Sequence, residues 1–178
     1  GMRRVELDAQ DCLVHFSAPE LILNLGAVGK GYALDRAADV LRFYGVRSAL
    51  LHGGQSTILA VGGPPDAEAW RFQIKDPRDR ANILATAHLR DAALSTSGSY
   101  EQYVEVNGMK YSHILDPRTG RPVTERLLVS ARTAGAARSD ALSTALFVMG
   151  HERATEFAER HPDLAFVMLS EDVRGGTV

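Results

Sequence analysis

Several common features are missing from this chain, and each absence narrows what it can be. Among 178 residues there is one cysteine, Cys12. No internal disulfide can form, and the apolar run Cys12-Leu13-Val14 predicts a buried small hydrophobe. No apolar run approaches membrane-spanning length, and neither a signal-peptide core nor a lipobox is visible, which leaves a cytoplasmic location as the default. Charge of neither sign dominates: 20 Lys and Arg against 22 Asp and Glu give a formal net charge of −2. That balance provides no broad basic surface for nucleic acid or anionic membrane, so any bound anion must be held by a few placed groups. The six histidines are scattered. His151-Glu152 lacks the second histidine of a metalloprotease helix, and one cysteine cannot start a thiolate site, so zinc is a poor candidate. No Gly-x-Ser-x-Gly elbow marks an activated serine. Repeats, linkers and low-complexity tracts are also missing.

What is present is an ordinary globular composition, 45% hydrophobic and 24% charged. The length fits one domain, 1–178, better than two. Arg4–Leu7 and Cys12–Phe16 read as paired edge strands. A helix follows from Lys30 to Tyr44, stopped at Gly45, with an apolar stripe of Ala33, Ala37, Val40, Leu41 and Tyr44. Strands are expected at Ser48–Leu51, Thr57–Val61, Arg71–Ile74, Ala85–Arg90, Tyr103–Val106, Lys110–Ile114, Leu127–Arg132 and Leu164–Leu169. Asn107-Gly108 is a strong hairpin signal. Two further helices are expected, at Ser139–Met149 and Glu152–Arg160.

Five polar stretches stand out from this scaffold. Asn24-Leu25-Gly26-Ala27-Val28-Gly29-Lys30-Gly31-Tyr32-Ala33-Leu34-Asp35 places glycines and a lysine at a helix start. It fits neither a P-loop nor the dinucleotide fingerprint. Its glycines would let backbone amides approach an anion at the positive end of the helix, although alone such a loop is more often helix-start punctuation. His52-Gly53-Gly54-Gln55 is a strand end where a ligand could come close, or simply a tight turn. Ser95-Thr96-Ser97-Gly98-Ser99-Tyr100 offers hydroxyls for a phosphate or ring carbonyl, with a polar turn as the alternative. Ser112-His113-Ile114-Leu115-Asp116-Pro117-Arg118-Thr119-Gly120-Arg121-Pro122 is too dense in chemistry for a plain loop. In Arg138-Ser139-Asp140-Ala141-Leu142-Ser143-Thr144, Asp140 and Thr144 share one helix face at i and i+4, two oxygen ligands suited to magnesium. A helix cap at Ser139 or Asp140, with Thr144 bonded backward, is the competing explanation.

The order of these stretches, with His-Ile-Leu-Asp-Pro-Arg-Thr-Gly at 113–120 and Asp-Ala-Leu-Ser-Thr-Ala at 140–145, closely resembles the ApbE family of flavin transferases from about Asn24 to Leu169. The resemblance implies an α+β fold, T-fold-like, with a mixed or antiparallel sheet and packed helices, matching the C-terminal half to two-thirds of the family. It implies Mg2+ as cofactor and FAD as substrate. The activity implied is FAD splitting, with FMN joined through its phosphate to a Thr or Ser of an acceptor flavoprotein and AMP released; some members hydrolyse FAD instead.

By that resemblance Lys30 and Asp35 lie beside the cofactor, and Gly53, Gly54, Ser97, Gly98, Tyr100 and Asp116 contact or orient it. The Gly29 carbonyl, Asp140 and Thr144 surround the metal, while His113 prepares the incoming hydroxyl. Two departures remove acidic groups: Asn24 stands where an aspartate is usual and Gln55 where an acidic residue is frequent. Family members run to roughly twice this length. The second expectation is therefore a catalytically impaired flavin or nucleotide-binding module needing a partner chain. A homodimer would cover apolar surface left by a shortened fold.

Overall fold

The computed structural model describes residues 2–99, 103–106, 109–124 and 126–170. After a 3-10 turn at Met2–Arg4, β1 (Val5–Asp8) and β2 (Leu13–Phe16) pair as the sequence suggests. Then come α1 (Gly29–Phe43), β3 (Ala49–Gly53), β4 (Thr57–Val61), β5 (Trp70–Lys75), β6 (Ile83–Leu89) and β7 (Ala92–Gly98). The rest comprises β8 (Tyr103–Val106), β9 (Met109–Ser112), β10 (Leu115–Asp116), β11 (Arg121–Pro122), β12 (Arg126–Thr133), α2 (Ala136–Met149), α3 (His151–Glu159) and β13 (Ala165–Ser170). The architecture is α+β. β8 and β9 pair Val106 with Met109, and the Asn107-Gly108 dipeptide itself lies outside the described residues.

One five-stranded antiparallel sheet in the order β13-β12-β7-β4-β3 organises the molecule. Side chains alternate across it with a period of two. Leu59, Val61 and Ala93 point to one face and join Leu34 and Ala38 of α1 and Ala136 of α2. From the same sheet, Ala60, Ala92, Leu94 and Leu128 point to the other face and meet the β5–β6 hairpin through Ile74 and Leu89. Val129 and Ala131 pack under Leu146 and Phe147 of α2. The sheet is thus covered by helices on one side and a hairpin on the other.

Three local expectations change. Cys12 is exposed, at a left-handed φ of 55° in the β1–β2 turn, where its side chain cannot reach a core. The buried stripe of α1 is Gly31, Leu34 and Ala38, whereas Ala33, Ala37, Val40 and Tyr44 are exposed. The phase is set at Gly31: a Cβ there would stand 2.2 Å from the Ala136 carbonyl oxygen, so only glycine lets the two helix backbones approach. The Ser95–Gly98 part of the third polar stretch belongs to central strand β7, between β12 and β4, rather than to a turn.

Candidate functional site

Three structural layers meet at one end of the sheet, and a cleft of about 1070 Å³ opens there. Its walls include Asn24, Gly26 and Lys30 from the entry to α1, Gly53, Gly54 and Gln55 from the β3–β4 turn, and Thr96, Ser97 and Gly98 from β7. His113, Ile114 and Leu115 contribute from the loop after β9, Asp140 and Thr144 from α2, and Arg80 from the hairpin layer.

Asp140 is the most constrained of these groups, being 4% exposed. One carboxylate oxygen, Oδ2, accepts the Gly31 amide at 3.1 Å, and the other, Oδ1, accepts Thr57 Oγ1 at 3.3 Å. Lys30 Nζ lies 3.3 Å from Oδ1 and also donates to the Gly26 carbonyl at 3.2 Å. An ionised carboxylate this deeply buried is costly unless paired, and two hydrogen bonds and an ammonium supply the pairing. The same contacts fix the lysine at the mouth of α1.

One turn further along α2, Ser143 Oγ donates to the Asp140 carbonyl at 2.9 Å. A hydroxyl has one proton, so Ser143 must accept from Ser97 Oγ, 2.9 Å away. Ser97 has then spent its proton as well, and the 3.0 Å bond to Thr144 Oγ1 must run from Thr144 to Ser97. Thr144 therefore keeps its lone pairs free to accept. A carboxylate offers about four lone-pair sites, and three neighbours engage those of Asp140. The pair fits a hard cation that takes few protein oxygens and fills its remaining positions with water and phosphate oxygens. Among the described residues, no group of three or more His, Cys, Asp or Glu is placed to hold a metal ion.

Asp35 lies elsewhere. Its two oxygens accept the Ala136 and Ala137 amides at 2.7 and 2.9 Å, capping α2 from α1, and it is not among the cleft-lining residues. That remote cap explains why α2 begins at Ala136, three residues before the expected start, and why Ser139 and Asp140 are interior helix residues. Gly29 opens α1 without lining the cleft; Gly26 lines it instead.

Asp116 also stands back from the cleft, in a fork with Arg118, whose Nη2 reaches the Val148 carbonyl near the end of α2. Hydrogen bonds from the Arg118 side chain and amide hold the Asp116 carboxyl at about 2, below its ordinary 3.8, and the guanidinium is held correspondingly above its ordinary value. Tyr100 lies outside the described residues. Thr57, Ser143 and Arg80 were not singled out in the sequence. Thr57 carries no motif signal, Ser143 lies inside the 140–145 motif but off the face that Asp140 and Thr144 share at i and i+4, and Arg80 sits in an ordinary charged turn.

At the open end of this sheet a buried carboxylate, a lysine at a helix start and a chain of hydroxyls share one cleft, a set of groups chemically suited to phosphate oxygens. Comparison with known proteins makes the class specific. The ApbE family model matches residues 1–168, and the chain belongs to that family. It is 36% identical over 170 residues to a FAD:protein FMN transferase of Rhodobacter capsulatus, covering 96% of this chain and 32% of that protein. To the FAD:protein FMN transferase of Escherichia coli K12 it is 35% identical over 157 residues, covering 86% of this chain and 44% of that one. The crystal structure of the ApbE protein from Thermotoga maritima superposes with a TM-score of 0.85 at 30% identity, over all of this chain and 57% of the other. For the apo flavinyl transferase ApbE of Pseudomonas stutzeri the TM-score is 0.81 at 32% identity, over all of this chain and 54% of the other. The chain thus spans less than half the length of the Rhodobacter capsulatus and Escherichia coli transferases.

Proposed function

We propose that this chain, as a single ApbE-like domain, forms the FAD cleft of a magnesium-dependent flavin transferase. The reaction would attach FMN through its phosphate to a Thr or Ser of an acceptor flavoprotein, with AMP as leaving group, or to water where hydrolysis competes. The observation that supports this reading is the convergence of Lys30, Gly53, Gly54, Ser97, Gly98, His113, Asp140 and Thr144 on one cleft.

Phosphoryl transfer depends chiefly on positioning and charge neutralisation. Lys30, fixed by Asp140 and Gly26, brings one positive charge to the cleft at the amide end of α1 and attracts the diphosphate. Asp140 and Thr144 would hold magnesium, which when bound supplies charge neutralisation on the diphosphate. Gly53 and Gly54 let the ligand approach the β3–β4 turn, and Ser97 and Gly98, with Tyr100, would contact the flavin part. His113 accepts the proton of the incoming hydroxyl at an imidazole nitrogen. The hydroxyl oxygen then bonds to the FMN phosphorus, the phosphorus–oxygen bond to AMP breaks, and AMP leaves with the electron pair. Asp116 and Asp35 act at a distance, by anchoring the 116–120 loop and α2.

A titration with FAD in magnesium and again in EDTA, followed by chromatography for AMP and FMN, tests the proposal. Magnesium-dependent binding with AMP release that is lost in Asp140→Ala supports it; no FAD turnover in magnesium with candidate acceptors would sink it. A second reading rests on Asn24 and Gln55, two neutral amides lining the cleft at positions where the family resemblance leads one to expect acidic groups. On that reading the chain binds flavin without turning it over, alone or with a second copy, and it predicts FAD binding with no AMP formed.

A further inference from the structure

The β5–β6 turn is built from its own charged residues, and one of them is left over. Asp76, buried at the base of the turn, accepts from both the Arg78 amide and the Arg78 side chain, and its own amide donates to the Asn82 carbonyl at 3.0 Å. Asp79 accepts from the Ala81 amide and from Asn82 Nδ2, each at 3.0 Å. Both acids and Arg78 are thus consumed in holding the turn. Arg80, exposed, lines the cleft, and among the described residues no carboxylate is paired with it.

Charge in the cleft is unbalanced as a result. Among the described residues its lining contains one acidic residue, Asp140, which Lys30 already neutralises, leaving the Arg80 guanidinium as surplus positive charge. Lys30 and Arg80 come from opposite layers, one from the helix face of the sheet and one from the hairpin face. A ligand bridging both would carry anionic oxygens in its middle, which a planar guanidinium can take bidentately.

We infer that Arg80 is a substrate-binding residue that contacts the diphosphate of the FAD substrate from the hairpin layer and sets affinity for the dinucleotide. This rests on the proposed FAD reading of the cleft. Because Arg80 is exposed and makes no contact that holds the turn, its replacement leaves the fold intact.

The test compares FAD and riboflavin binding by flavin fluorescence in wild type, Arg80→Gln and Arg80→Lys. Riboflavin carries the ring without phosphate. Arg80→Gln is expected to weaken FAD about tenfold to a hundredfold with riboflavin binding unchanged, and Arg80→Lys to fall between. Wild-type FAD affinity in Arg80→Gln overturns the inference and leaves the FAD reading standing. An equal loss for riboflavin also overturns it, because the contact would then be to the ring. A wild-type chain with no affinity for FAD overturns the FAD reading and the inference together.

Discussion

The Asp35 carboxylate on α1 takes the first two amides of α2, Ala136 N at 2.7 Å and Ala137 N at 2.9 Å, across a separation of 101 residues for the first. Gly135, the residue at the cap position of α2, has no side chain to do this, so a neighbouring helix does it. Because Asp140 sits one turn further along α2, this cap also helps fix the position of the buried carboxylate in the cleft.

Asp35→Ala should therefore destabilise the fold by about 1–2 kcal/mol, the usual cost of a lost cap reinforced by the helix dipole. Denaturant unfolding measures it, and Asp35→Asn should recover part of the loss. FAD affinity of the folded variant should stay near that of wild type. A variant of unchanged stability that no longer binds FAD would return Asp35 to a ligand role.

The Asp116–Arg118 fork gives a pH dependence of definite sign. With its carboxyl at about 2 against an ordinary 3.8, folded Asp116 binds protons more weakly than the unfolded chain does. Its contribution is complete above about pH 4 and is lost as pH falls through about 2. Asp76, held at about 2 chiefly by the Arg78 side chain, acts in the same window. Wild type should lose stability steeply between pH 4 and pH 2, and Asp116→Asn should be less stable at pH 6 but show a shallower decline. Parallel acid-unfolding curves for the two proteins would show that the fork contributes nothing.

Much of the candidate cleft was legible because its residues fall in short local motifs: Lys30, Gly53, Gly54, Ser97, Gly98, His113, Asp140 and Thr144 all line it. What escaped depends on distant packing. β7 carries Ala92, Ala93, Ser95, Ser97 and Gly98, weak strand formers of which all but the half-buried Ser97 are buried, so neither propensity nor alternation marks it. The phase of α1 follows from Gly31 meeting the α2 backbone, which no hydropathy pattern records. Asp35 looked like a site residue because it stands near the glycine loop in sequence, whereas its partners lie on another helix.

The hydroxyl chain from Ser143 through Ser97 to Thr144 carries the last prediction. Its direction is fixed by the Asp140 carbonyl, which can only accept, and that direction leaves the Thr144 oxygen with free lone pairs, as the proposed magnesium site requires. Ser143→Ala removes the anchor: Ser97 can then donate to Thr144 and occupy a lone pair that a metal needs. Outer partners of metal ligands typically change affinity by roughly tenfold or more, so Mn2+ binding, followed by electron paramagnetic resonance as a stand-in for magnesium, should weaken about tenfold. Ser97→Ala also frees Thr144 from its partner and should weaken binding, through loss of orientation. Undiminished Mn2+ affinity in Ser143→Ala, with the fold intact by circular dichroism, would show that the direction of the chain does not govern the ligand.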